Sequence, residues 1–270
     1  HSTNHQKINI MRNYSMTRTS SARGFSLLEL LVVIGVIGVL LSILLPALAA
    51  ARRASWRIKS ASNVRSLTQL VLKRVEDNGG VFPTVDPDAG PVYMMPFTPG
   101  TLKTGGQHWM SAGTQWPLPY EFDERELAAP GIFASPPATA EDIIQFGAVG
   151  THYRISSTAM GDPALWSDTP IDEESLPRLR RGVRLAEVAF PAQKALMWDA
   201  RLNWLPREPR TEGPDLAERT PVSAFDGSVK SRVPAEMTPG VLCLDPQQRG
   251  WVEDLAAMHN TPEGVRGRDW

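Results

Sequence analysis

An α+β fold, with one long N-terminal helix packed on a small antiparallel sheet and joined by long loops, is what this 270-residue sequence predicts. Three observations lead there. Residues 27–45 are almost all Leu, Val, Ile or Gly. Apolar residues then recur at spacings of three and four as far as Val75, where Asn78-Gly79-Gly80 stops them. Residues 194–200 read as a strand, and residues 221–230 read as strand, Asp226-Gly227 turn and strand.

The apolar run comes first. About 20 such residues are enough to cross a bilayer as a helix, so residues 25–46 are expected to span a membrane. Glu29 is the anomaly within that span. A carboxylate in a membrane helix costs a few kcal/mol by insertion scales unless it lies near an end or is paired, and therefore marks a functional position. Ahead of it, residues 1–24 carry Lys7, Arg12, Arg18 and Arg23 and no acid. The sequence begins at His1; Met11 and Met16 are candidate starts, and a start at Met16 leaves a compact leader ending at Gly24. Residues 1–15, polar and poor in apolar groups, read as disordered or as upstream sequence.

A short basic leader ending in Gly24, then Phe25, then an apolar helix with Glu29 four residues beyond that Phe, resembles the class III signal of type IV pilins and type II secretion pseudopilins. The resemblance implies cleavage between Gly24 and Phe25 by a prepilin peptidase, N-methylation of Phe25, and a role for Glu29 in methylation and filament assembly. Pro46 falls where many pilins have a helix-bending proline. The partners implied are the peptidase, other pilin-like subunits and an inner-membrane assembly platform. The location implied is the bacterial inner membrane, single-pass, with a cytoplasmic N-terminus and a periplasmic or extracytoplasmic head. Cleavage would create a cation at Phe25 that could meet Glu29 of a neighbouring subunit, where low dielectric strengthens the attraction.

Charge alone leaves the orientation open. The leader favours a cytoplasmic N-terminus, yet Arg52, Arg53, Arg57 and Lys59 follow the span closely and favour the reverse. The implied cleavage on the cytoplasmic side decides it, and those four cations are then placed to meet membrane lipid phosphates or acids of adjacent subunits.

Beyond Pro46, residues 47–78 continue as an amphipathic helix. Leu48, Ala51, Ala54, Ile58, Ala61, Leu67, Leu70 or Val71 and Val75 are expected to form its buried stripe, opposite the Arg and Lys residues. A helix from Phe25 to about Asp77 would be roughly 80 Å long, bent at Pro46 by the missing backbone donor. Gly35 and Gly38 are suited to close helix contacts, though one residue short of the small-xxx-small spacing.

Residues 79–270 form the globular head. From residue 78 onward there are 17 basic and 26 acidic residues, a net of -9, which argues against nucleic acid as a partner. Cys243 is the only cysteine, so no intramolecular disulfide forms, and its apolar neighbours mark it as packing. Residues 81–137 are rich in Pro, Gly and aromatics and read as loops with short strands, such as residues 92–97. Asp86-Pro87-Asp88-Ala89-Gly90 is a weak echo of a calcium loop that lacks the later acidic ligands, so a solvated turn is expected and no cofactor is assigned. A short helix start is expected at residues 139–142 and a strand near residues 153–157. The acids of residues 172–174 and Arg178, Arg180, Arg181 and Arg184 read as solvated pairs or intersubunit contacts.

The Phe225-Asp226-Gly227-Ser228-Val229 run is similar to the tail of bacterial prepilin-like proteins that end in a His, a spacer and a Phe-x-Asp-Gly hairpin. This chain departs from that pattern, since the nearest histidine before Asp226 is His152. Asp226 is accordingly read as a turn former, not a ligand. The sequence contains no nucleophile elbow, P-loop, H-E-x-x-H or paired-cysteine metal motif, and an enzyme is not expected. The expected role is structural: a subunit, by its head size more in keeping with a minor component, of a pilus-like or secretion pseudopilus filament. The alternative is an anchored binding module recognising glycan or peptide through Trp109, Trp116, Trp166 or Trp204. An anchored enzyme would need His152 to meet Asp162 or Asp168.

Overall fold

The computed structural model describes residues 26–84, 109, 136, 151–202, 218–248 and 257–270. The chain divides into two units, His1–Ala49 and Ala50–Trp270. Helix α1, Leu27–Asp77, is a single 51-residue element that stays helical through Pro46. In the first unit every described side chain is exposed, including the large apolar ones of residues 27–45.

In the second unit α1 becomes one wall of a core. Its buried positions are Ser60, Asn63, Val64, Leu67, Thr68, Val71 and Val75, a stripe stepping by three, one and four. Only the lower part of the expected stripe is buried. Leu48 is 51% exposed and Ile58 72% exposed, and Ala51 and Ala54 are exposed as well. The stripe lies opposite only some of the cations: Lys59, Arg65 and Lys73 face away from it and are exposed, but Arg53 and Arg57 continue it upward at spacings of four and three. The reason is chemical: Ser60, Asn63 and Thr68 are buried against polar partners on the sheet, which an apolar pattern does not register. Burying the aliphatic members supplies about 1.5–3 kcal/mol each.

The helix ends as Asn78-Gly79-Gly80 requires. Gly80 N donates to Val75 O at 2.8 Å and Gly79 N to Glu76 O at 3.0 Å, with Gly79 at φ +65°. This is a Schellman cap, whose left-handed residue favours glycine.

Four strands form one antiparallel sheet in sequence order: β1 (Tyr153–Ile155), β2 (Ala195–Asp199), β3 (Thr220–Ala224) and β4 (Val229–Arg232). Tyr153 pairs with Asp199, Trp198 with Val222, and Val222 with Lys230. All five residues of β2 and of β3 are buried, so both faces of the sheet centre are covered. A register shift between Ala195 and Met197 resets the alternation of β2. Ala195 and Trp198 consequently join one core cluster, with Val222, Met237 and Met258, while Leu196 and Met197 join the other, with Val64, Leu67 and Val71 of α1.

The Asp226-Gly227 turn departs in detail from a two-residue hairpin. Ala224 N donates to Ser228 O and Gly227 N to Ala224 O, enclosing the three residues Phe225, Asp226 and Gly227, and of these only Gly227 has positive φ, at +81°. A three-residue loop needs just that one left-handed position. Asp226 Oδ1 accepts from Ser228 N at 2.9 Å. Phe225 points into the core, its ring edge-on to Phe82 at 5.3 Å.

The C-terminal segment seals the head through polar contacts. Ser157 donates to the His259 carbonyl, Gln248 and Trp166 both donate to Asn260 Oδ1, and Ser156 donates to the Met258 carbonyl. Lys194, Thr261 and Asp269 are all buried and joined, with Lys194 Nζ 2.8 Å from Asp269 Oδ2. The strand expected at residues 92–97 and the helix start at 139–142 lie outside the described residues.

Candidate functional site

Two neighbouring residues define the start of α1. Ser26 Oγ accepts from Glu29 N at 3.1 Å, and Glu29 Oε2 accepts from Ser26 N at 2.9 Å. This reciprocal pair is a capping box, in which two otherwise orphaned backbone donors are satisfied at once. It changes the physical standing of Glu29. The carboxylate sits in the first turn, where the helix dipole favours negative charge, and its own chain supplies a donor. The cost of an acid at the head of an apolar span falls accordingly. The Ser-x-x-Glu spacing was present in the sequence as a capping signature; a reading of Glu29 as charge alone passes over Ser26.

Below this cap the span presents apolar side chains to its surroundings, with Ser42 the one polar side chain among them. No atom lies within 4 Å of a Cβ built at Gly35 or Gly38, so both are open for contact with something outside the chain. Ser42 Oγ donates to Val39 O at 2.7 Å, one turn above Pro46. Pro46 removes the donor that Ser42 O would otherwise receive. Gly24 and Phe25, the expected cleavage pair, lie outside the described residues. The helix is long and apolar enough to cross a membrane.

Residues 19–45 match the prokaryotic N-terminal methylation motif. The chain is prepilin-like at its N-terminus. The motif covers the leader's end, Ser26, Glu29 and the apolar span, and it stops just before Pro46. No curated protein and no solved structure matches this prepilin-like chain.

In the head of the prepilin-like chain, polar groups stitch α1 to the sheet. Ser60 donates to Asp199 Oδ2 at 2.6 Å, Asn63 to the Tyr153 hydroxyl at 3.0 Å and Thr68 to the Ser223 hydroxyl at 2.7 Å, all buried. Asp199 Oδ1 also accepts from the backbone of Arg201 and Leu202. Burial, and then the Asp199 charge, push the Tyr153 phenol up, so it remains protonated. These pairs fix which residues of helix and sheet meet.

The tryptophans proposed as a ligand platform are divided. Trp109 and Trp166 are buried and edge-on to each other at 6.0 Å. Trp109 Nε1 donates to Asp245, which also receives two hydrogen bonds from Arg180. Burial pushes the Asp245 carboxyl up, but Arg180 and Trp109 together hold it below the usual range. Both rings are core, because their indole donors find buried acceptors. Trp116, Trp204 and the Asp86–Asp88 turn lie outside the described residues. Asp162 caps the turn at Ala164 and binds Arg181, which also holds Glu187, and Asp168 is exposed. Among the described residues no hydrogen bond or ion pair joins His152 to either acid. Among the described residues no cluster of three or more His, Cys, Asp or Glu is placed to hold a metal.

His259 was indistinct in the sequence and is central in the head. It is buried, its ring lies 4.5 Å from Trp198, and Nδ1 accepts from Ser157 N. Burial first, then the charges of Arg154 and Lys194, hold its pKa well below 6.5. The folded imidazole is neutral where the unfolded one takes up a proton, so stability falls as pH drops below about 6.5. Urea midpoints of the detergent-solubilised chain at pH 7.5 and 5.5 should differ by more in wild type than in His259→Gln. Equal pH slopes in the two proteins would remove His259 as the cause.

Proposed function

We propose that this prepilin-like chain is a structural subunit of a pilus-like or type II secretion pseudopilus filament, held before assembly as a single-pass inner-membrane protein with its head outside the cytoplasm. It is no enzyme in this reading and uses no cofactor. Prepilin peptidase cuts between Gly24 and Phe25, and the assembly platform and other pilin-like subunits are its partners. The observation that carries the reading is the coincidence of the methylation motif with an apolar span, residues 27–45 of α1, whose every side chain is exposed and whose sole acid caps its own first turn. An apolar surface of that extent needs lipid or neighbouring helices to cover it.

Glu29 has two separable duties here, a cap and a charge. The amino group released at Phe25 would be one residue from Ser26, so the carboxylate that caps the free subunit is positioned to exchange its partner for a neighbour's cation on assembly.

The test is mass spectrometry of the mature N-terminus from native membranes, with filament fractions probed alongside. Wild type should begin with N-methylated Phe25. Glu29→Gln keeps a capping side chain and loses the charge, whereas Ser26→Ala loses part of the cap and keeps the charge. Filament incorporation should fail in Glu29→Gln and persist in Ser26→Ala. An uncut leader in wild type would overturn the filament reading, and normal assembly of Glu29→Gln would overturn the role of the charge.

A further inference from the structure

The stretch of α1 that follows the apolar span carries Arg52, Arg53, Arg57 and Lys59, all exposed, with Trp56 half-buried among them. No Asp or Glu occurs between Glu29 and Glu76, so none of the four has an acid within reach along the helix. No described side chain pairs with them either; the ion pairs found join Arg180, Arg181 and Lys194 to acids of the head. Among the described residues these four adjacent cations have no counter-charge, and anions supplied by a partner would relieve their mutual repulsion.

The helical spacing says where those anions lie. Arg53 precedes Val71, and Arg57 precedes Val75, by eighteen residues, which is five turns of 3.6. Both arginines therefore stand on the same side of α1 that is buried against the sheet lower down. That side changes from core to cationic surface above Ser60, and its first cation, Arg53, stands eight residues after Leu45 closes the apolar run. A hydrocarbon core is about 30 Å thick and each headgroup layer adds roughly 5–8 Å; at 1.5 Å per residue, Arg52 and Arg53 lie about 10–12 Å and Arg57 and Lys59 about 18–21 Å beyond Leu45. The long side chains of the first pair reach back into the headgroup layer, and the second pair stands just outside it, within a Debye length of roughly 8–10 Å. A tryptophan at the same level is the usual companion of that layer. Residues 78–270 carry a net of -9, so an anionic membrane surface would repel the head unless positive charge lay between them.

We propose that Arg52, Arg53, Arg57 and Lys59 form a collar that binds anionic phospholipid headgroups on the side of the membrane where the head resides. The collar offsets the charge pattern that opposes this orientation and holds the subunit at a fixed depth until assembly. The proposal rests on the membrane-anchored reading above.

The experiment uses the full chain in vesicles containing phosphatidylcholine with a minority of phosphatidylglycerol, and measures the relative association of spin-labelled forms of the two lipids. Each cation near the surface contributes about a fivefold preference for the anionic lipid. Wild type should prefer phosphatidylglycerol by at least fivefold. Replacing all four residues by Gln should remove most of that preference, while Arg65→Gln with Lys73→Gln, which removes exposed cations farther along the helix, should retain it. A preference unchanged in the fourfold variant, or lost equally in the control, overturns the collar. Chemical crosslinking in the same vesicles is read in parallel: loss of crosslinks without loss of lipid preference would mean that the cations serve a second copy, and the lipid assignment falls. Carbonate extraction separates the two readings. A chain that carbonate strips from the vesicles is not anchored at all, whereas a chain that stays without showing preference defeats the collar alone.

Discussion

Lys194→Ala is expected to lower the stability of the head by about 3–5 kcal/mol, the largest loss of any single side chain considered. Lys194 and Asp269 are both fully buried, and the ammonium lies 2.8 Å from the carboxylate. Burial pulls the Lys194 pKa down and the Asp269 charge opposes that. Removing the lysine strands a carboxylate whose remaining donors are Thr261 and the backbone N of Ala195. An uncompensated buried charge is costly, whereas a pair replaced by neutral groups of similar size is often tolerated. The double variant Lys194→Met with Asp269→Asn should thus recover more than half of the loss, since an amide oxygen can still accept from Ala195 N. Urea unfolding of the detergent-solubilised chain, followed by tryptophan fluorescence, checks both. A single-variant loss under about 1 kcal/mol, the scale of an exposed ion pair, would show that water reaches the site.

Gly182→Ala should cost about 3 kcal/mol, the upper end of what overpacking usually does. A Cβ at this position would stand 1.8 Å from the Phe82 carbonyl oxygen and 3.0 Å from its carbon. Both are backbone atoms, so no rotamer change relieves the clash. The surrounding contacts explain why the approach is so close: Phe82 N donates to Val183 O, Leu185 N donates to Gly80 O, and Val81 bridges to Arg184. The chain leaving α1 is zipped against residues 182–185, and alanine would force that zipper open and draw Phe82 away from Phe225. Gly79→Ala is the control. Its φ is +65° but nothing lies within 4 Å of its Cβ, so it should lose only the left-handed penalty of about 1–2 kcal/mol. Limited proteolysis near residue 80 should increase in the first variant and little in the second. Equal behaviour would mean that backbone conformation, not contact, governs both sites.

What could be read from the sequence was local. The apolar span, the Asn78-Gly79-Gly80 stop and the β3–β4 hairpin each announce themselves within ten or twenty residues, through period and turn chemistry. The Ser26–Glu29 cap is equally local. The buried face of α1 was not legible in the same way, because Ser60, Asn63 and Thr68 become interior residues only when Asp199, Tyr153 and Ser223 arrive from far along the chain. Lys194 and Asp269, 75 residues apart, look like surface charges until the fold removes their water. His259 has the same history: its environment consists of Trp198 and Ser157, neither of which its neighbours in sequence foretell.

The polar stitches between α1 and the sheet also determine where this protein can be divided. Gly79, at the end of the helix, looks like a natural cutting point, yet a fragment starting there would discard the seven residues that wall one face of the sheet. The three hydrogen-bonding groups left behind would be bare in a now solvent-exposed β surface. A soluble version of the head has to keep the lower half of α1, with its cut placed near Ala50, so the same helix that serves the membrane is also part of the minimal folding unit outside it.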